Sequence, residues 1–145
     1  MSAAVNGRAI VLRSLLEDTS CVDSPGDRVI NLGLGEAELP DLAFLPYQPG
    51  LRKNVLIHPI FDNTKDDPLG SDCAILQYLP GAFTPRHVHM GYETVLVLKG
   101  EYVENDVLYR PGTLIVREPG TVHEMRTTQG CTILAFRDVP VKQLT

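Results

Sequence analysis

Apolar positions along this chain come in short bursts, each broken within a few residues by Pro, Gly or a polar cluster. Some bursts alternate apolar with polar residues, and others are brief continuous runs flanked by turn residues. Both patterns predict short β-strands. Strands are expected at 28–34, 55–61, 73–79, 86–90, 93–99, 101–103, 107–109, 113–116, 122–125 and 131–136, with Pro80-Gly81 closing the one at 73–79. The stretch 39–50 holds Pro40, Pro46 and Pro49 and is expected to be extended but irregular. Residues 62–71 are polar and turn-rich, hence a loop. One helix is expected, at 9–18, where Ile10, Val11, Leu12, Leu15 and Leu16 are compatible with one apolar face. Evenly spaced short strands predict an all-β sandwich or barrel. No repeat or linker divides it.

Composition narrows the function classes. A chain of 145 residues fits one domain with a real core. Its net charge of -5, with no run of Lys or Arg, argues against a nucleic-acid partner or a membrane-surface role. The opening residues show no basic segment followed by an apolar one, so no signal peptide is expected. No apolar run is long enough for a membrane-spanning helix. The three cysteines, Cys21, Cys73 and Cys131, are odd in number and lack C-x-x-C spacing. They are expected to be reduced thiols of a cytoplasmic protein, with Cys73 and Cys131 in the core.

Chemistry is concentrated in few residues. The chain has four histidines, and two form His87-Val88-His89. On a strand, residues two apart face the same way, so both rings can reach one ion. Glu93 has the same parity, and the bend permitted at Gly91 lets it join them. His123 would arrive from another strand. Imidazole and carboxylate together suit iron, zinc, nickel, copper or manganese. His58, between Ile57 and Pro59, reads as structural.

The order of these residues resembles the cupin signatures. Gly81, His87-Val88-His89, Glu93 and Gly100 follow the first signature; Gly112 and Pro119-Gly120-Thr121-Val122-His123 resemble the second. Two departures occur there: Pro119 and Gly120 are adjacent, and Thr127 stands where the signature has Asn. The stretches 85–93, 97–102, 109–113, 117–123 and 130–134, with Phe44-Leu45-Pro46-Tyr47 and 49–53 upstream, are similar to the ChrR-type cupin domain. The resemblance implies a double-stranded β-helix, or jelly-roll barrel, over 41–145. Residues 1–40 would be an extension packing on the barrel or on a partner subunit, with 28–34 as a candidate exchanged strand.

The same resemblance implies one divalent transition metal per chain, Fe(II) or Zn(II), held by His87, His89, Glu93 and His123. Stand-alone relatives resemble iron dioxygenases that cleave C–C bonds of small ketones or diketones. The alternative is a non-catalytic zinc sensor like the C-terminal domain of zinc-binding anti-sigma factors. The helical sigma-binding domain of those proteins has no counterpart in this sequence. Glu93 is expected either to ligate the metal or to act as a base beside it. By proximity in sequence, the walls of a small-molecule pocket are expected from Tyr78, Phe83, Met90, Tyr92, Arg117 and Met125. Small cupins usually pair, so a homodimer is expected.

Overall fold

The computed structural model describes residues 41–144; the helix expected at 9–18 and the strand at 28–34 lie outside them. These described residues form one compact unit. It is built from ten strands: β1 (Leu45–Pro46), β2 (Lys53–Asp62), β3 (Asp72–Val88), β4 (Glu93–Gly100), β5 (Tyr102–Glu104), β6 (Val107–Tyr109), β7 (Leu114–Arg117), β8 (Val122–Arg126), β9 (Cys131–Arg137) and β10 (Lys142–Gln143). The main path of the sheet is β6-β5-β8-β3-β9-β4-β7, with β2 and β10 also on β3 and β1 on β2. Every pairing is antiparallel. The sheet curls, and its inner face closes on Val55, Tyr78, Val95, Val97, Tyr102, Ile115, Met125 and Ile133. No helix among the described residues is long and apolar enough to cross a membrane.

The all-β expectation holds, and most strands lie where the pattern puts them. The third strand is the exception. Pro80-Gly81 does not end it: β3 runs unbroken for 17 residues. As far as Tyr78 it pairs with β9, and from Phe83 it pairs with β8. Pro80 and Gly81 mark the change of partner. Proline gives no N–H to a ladder, and Gly81 takes a left-handed φ of 82° that a side chain would resist. Thr127, in place of the signature Asn, is buried and secures this corner. Its N–H donates to the Ala82 carbonyl and its hydroxyl accepts from the Gly130 N–H.

A second irregularity in β3 positions the histidines. The register against β8 shifts between Thr84 and His87. Ala82 and Thr84 are buried, and so are His87 and His89. Strict alternation would put Thr84 and His87 on opposite faces; the bulge at Pro85-Arg86 restores both to the interior.

Two smaller differences matter later. Glu104, expected in a polar turn, is the last residue of β5 and is only 2% exposed. The turn itself is Asn105-Asp106, both at positive φ as a tight hairpin requires. Of the cysteines expected in the core, Cys131 is buried there, whereas Cys73 is half-buried beside an outer groove.

Candidate metal centre

His87 and His123 are direct partners in the β3–β8 ladder. His89 follows β3 and is held by two backbone bonds: its N–H donates to the Thr121 carbonyl, and its carbonyl accepts from the Gly120 N–H. Ring centroids are 5.2 Å apart for His87 and His89, 4.4 Å for His87 and His123, and 4.7 Å for His89 and His123. All three residues are 4% exposed or less. One nitrogen from each lies within 4.8 Å of the others, and among the described residues this is the group that could hold a metal ion. The bend before β4 brings Glu93 back: Gly91 packs so closely on Asp138 that a Cβ would sit 2.0 Å from Oδ1.

The outer nitrogens identify the tautomers. Nδ1 of His87 is 2.8 Å from the Pro85 carbonyl, which can only accept. Nδ1 of His89 is 3.0 Å from Thr121 Oγ1, whose own proton goes to the Glu118 carbonyl. Nδ1 of His123 lies 2.6 Å from Glu104 Oε1, at an angle outside normal hydrogen-bond geometry. Each Nδ1 therefore carries the proton, and each Nε2 presents a lone pair inward. Yet Nε2 of His87 faces Nε2 of His123 at 2.8 Å, and Nε2 of His89 faces Glu93 Oε1 at 2.9 Å. Lone pairs turned on one another at these distances repel unless a cation lies between them. A divalent ion held by the three Nε2 atoms, with Glu93 adjacent, would relieve that repulsion.

Electrostatics agree with neutral rings. Burial, then the charge of His123, lowers the His87 pKa to about 4. Burial is also the main cause for His123, likewise lowered to about 4. For Glu93 burial acts upward, but the contact with His89 and the nearby Arg137 cation act downward, and the carboxyl lies below its usual range. His87 and His123 thus offer unprotonated nitrogens at neutral pH, beside an ionised Glu93.

Beyond the ligands lies a network that sequence reasoning missed. The buried Glu104 carboxylate accepts from the Tyr102 hydroxyl at 2.8 Å, sits against His123, and forms an ion pair with Arg117. Its signal was parity: Tyr102 and Glu104 are two apart on β5 and face in together.

A cavity of about 50 Å³ adjoins the centre, lined by His87, His123 and Glu93 together with Tyr78 and Met125. The other four residues expected in its walls do not line it. Phe83, between the inward Ala82 and Thr84, turns to the other face under Arg126. Met90 and Tyr92 neighbour ligand positions with opposite parity and are 53% and 50% exposed. Arg117 is taken up by Glu104. His58 stays outside, with Nδ1 2.8 Å from the Ala43 carbonyl and its ring edge-on to Phe44.

The family described as ChrR Cupin-like domain matches residues 38–139. The chain belongs to that family. Solved cupin structures share its fold at low identity. An acetylacetone dioxygenase from Acinetobacter johnsonii is 11% identical with a TM-score of 0.64, over 86% of this chain and 85% of the other. The polyketide cyclase RemF from Streptomyces resistomycificus is 22% identical with a TM-score of 0.59, over 72% and 81%. A protein of unknown function with a cupin-like fold from Ralstonia eutropha is 16% identical with a TM-score of 0.57. The match covers 63% of this chain and only 59% of the Ralstonia protein. No curated protein sequence matches. This ChrR-type cupin therefore has a jelly-roll barrel with a buried three-histidine site able to bind a metal.

Proposed function

We propose that this cupin is a metal-dependent enzyme, an Fe(II) dioxygenase that cleaves a C–C bond of a small ketone or diketone. The observation that carries the reading is the cavity in direct contact with His87, His123 and Glu93. A purely structural zinc site is closed, whereas catalysis needs open space at the ligands. The walls around them include the apolar Leu76, Val95, Met125 and Ile133. The fold shared with an acetylacetone dioxygenase supports the reaction class.

His87, His89 and His123 would hold the ion. When bound, it would supply Lewis acidity toward a carbonyl and electrons toward dioxygen. Glu93, ionised and facing the cavity, is placed to take the acidic α-proton of a dicarbonyl substrate. The apolar walls exclude water from the enolate so formed. A cavity this small admits only the reactive end of a ligand. The remainder would lie in an adjoining groove of about 430 Å³, which shares Tyr47, Arg52, Ile57, Asp72, Ala74 and Arg137 with it.

Metal analysis of the purified chain and oxygen uptake on a panel of ketones test the proposal. Stoichiometric iron with oxygen consumption on a 1,3-diketone is the expected result. Tightly held zinc with no oxygen uptake would replace it with the second reading, a zinc-binding sensor. That reading is favoured by the closeness of Glu93 to His89, which would complete a tetrahedral set. The proposal extends to a homodimer, supported by exposed Leu114 and Val116 on the edge strand β7. Light scattering showing only monomer would remove that part.

A further inference from the structure

Arg52 is a buried cation with no carboxylate partner among the described residues. It is 7% exposed. Its Nε donates to Gln48 Oε1 at 2.8 Å and its Nη1 to Thr84 Oγ1 at 3.1 Å. The guanidinium lies over the Tyr47 ring, 4.6 Å from its centroid. Among the described residues no Asp or Glu forms an ion pair with it, and Nη2 makes no hydrogen bond. Arginine cannot shed its proton to escape this situation. The other two arginines near the barrel interior are neutralised: Arg117 by Glu104, and Arg137 by a two-pronged pair with Asp72.

The position of this charge is informative. Thr84, which anchors it, precedes His87 on β3 and pairs with Met125, while His87 pairs with His123. Arg52 lines both the inner cavity and the outer groove, whereas His87 and His123 line the inner cavity alone. The guanidinium thus stands where the two spaces meet. Nη2 and the second hydrogen of Nη1 remain for a ligand, and two N–H donors on a planar fork match a carboxylate. With a divalent ion in place and Glu93 ionised, Arg52 leaves the interior with net positive charge. An enolised neutral diketone puts its charge at the metal and gives Arg52 nothing to bind.

We propose that Arg52 is the anchor for a substrate carboxylate, so that the natural ligand is a small oxo acid. Its keto group points to the histidines and its carboxylate to the barrel mouth. This rests on the enzyme reading above and narrows its substrate class.

The test is calorimetric titration of the full chain, loaded with Zn(II) to prevent turnover, with acetoacetate and with its uncharged methyl ester. Acetoacetate is expected to bind about ten-fold or more tighter than the ester, the worth of a charge-assisted hydrogen bond. Arg52→Met should abolish the preference while metal content stays as in the wild type. Arg52→Lys, which keeps the charge without the fork, should retain part of it. Equal affinity for acid and ester, no acetoacetate binding, or a preference that survives in R52M would overturn the proposal. The wild-type comparison decides even if a variant fails to fold. Failure of the enzyme reading shows separately. A chain without stoichiometric metal would defeat that reading, while a carboxylate preference lost in R52M would still mark Arg52 as the anion site.

Discussion

His87 and His123 meet Nε2 to Nε2 at 2.8 Å, each with its outer nitrogen already engaged on the far side of the ring. Neither ring can turn away without giving up that outer contact, so the pair is suited to hold an ion. Replacing His87 or His123 by Ala should lower metal affinity by about 100-fold or more, beyond the loss expected for an outer partner. Metal content after dialysis against a chelator measures this. Wild type should regain one divalent ion per chain, and the variants should not.

Glu104 lies against His123 and neutralises Arg117, so its replacement acts twice. Glu104→Gln should weaken metal binding about 10- to 100-fold by removing the anionic partner of the ring. It should also cost stability, by roughly 3–5 kcal/mol at most, because Arg117 loses its charge partner. Arg117 is partly exposed, which reduces the penalty. The double variant Glu104→Gln/Arg117→Met should recover part of the stability but none of the metal affinity. Urea denaturation and metal titration separate the two effects.

The depressed histidine pKa values set the pH response of the metal-free protein. His87 and His123 titrate near 4 when folded, against 6.5 for an unperturbed ring. Between these limits the unfolded chain binds more protons, so stability rises with pH across that window and levels off above it. Each tenfold difference in proton affinity is worth about 1.4 kcal/mol per group. Glu93, also lowered, adds loss of the same sign once pH falls below its unfolded value of 4.5. Denaturation midpoints of chelator-treated protein at pH 5 and pH 7.5 should differ accordingly. His87→Gln should flatten the slope.

Gly100 tests the backbone that carries β4 into β5. At φ 82° its added Cβ would lie 2.2 Å from the Gly130 carbonyl oxygen and 2.7 Å from Cys131 Cα. These are backbone atoms that cannot rotate aside. Gly100→Ala should lower unfolding free energy by about 1–3 kcal/mol or more. Gly112→Ala also carries a positive φ but meets nothing within 4 Å, so it should cost less. Thermal melts of the two variants give the comparison.

The sequence disclosed the centre better than its surroundings. His87 and His89 were legible because i and i+2 share a face on any strand, and Glu93 because the count and the bend at Gly91 agreed. His123 needed the signature, since no local pattern tells which distant strand will arrive. Tyr78 and Met125 line the cavity, and the others expected there lie elsewhere for a physical reason. Phe83, Met90 and Tyr92 were chosen by nearness in sequence, but a strand gives neighbouring residues to opposite faces. Arg52 and Glu104 were illegible because their burial depends on partners far along the chain: Thr84 for the one, Arg117 and His123 for the other. The strand boundary placed at Pro80-Gly81 was wrong because turn residues also serve where a strand exchanges neighbours.

One strand, β3, carries Asp72 at the mouth, Tyr78 in the cavity wall and His87 at the centre, and it is bonded to β2, β8, β9 and β10. A ribbon paired over most of its length with four neighbours resists peeling away locally. Its amides should exchange with solvent only when the entire barrel comes apart. Occupancy of the centre would then slow exchange at Ile75 as much as at His87, a signature that a loop-mounted site could not produce.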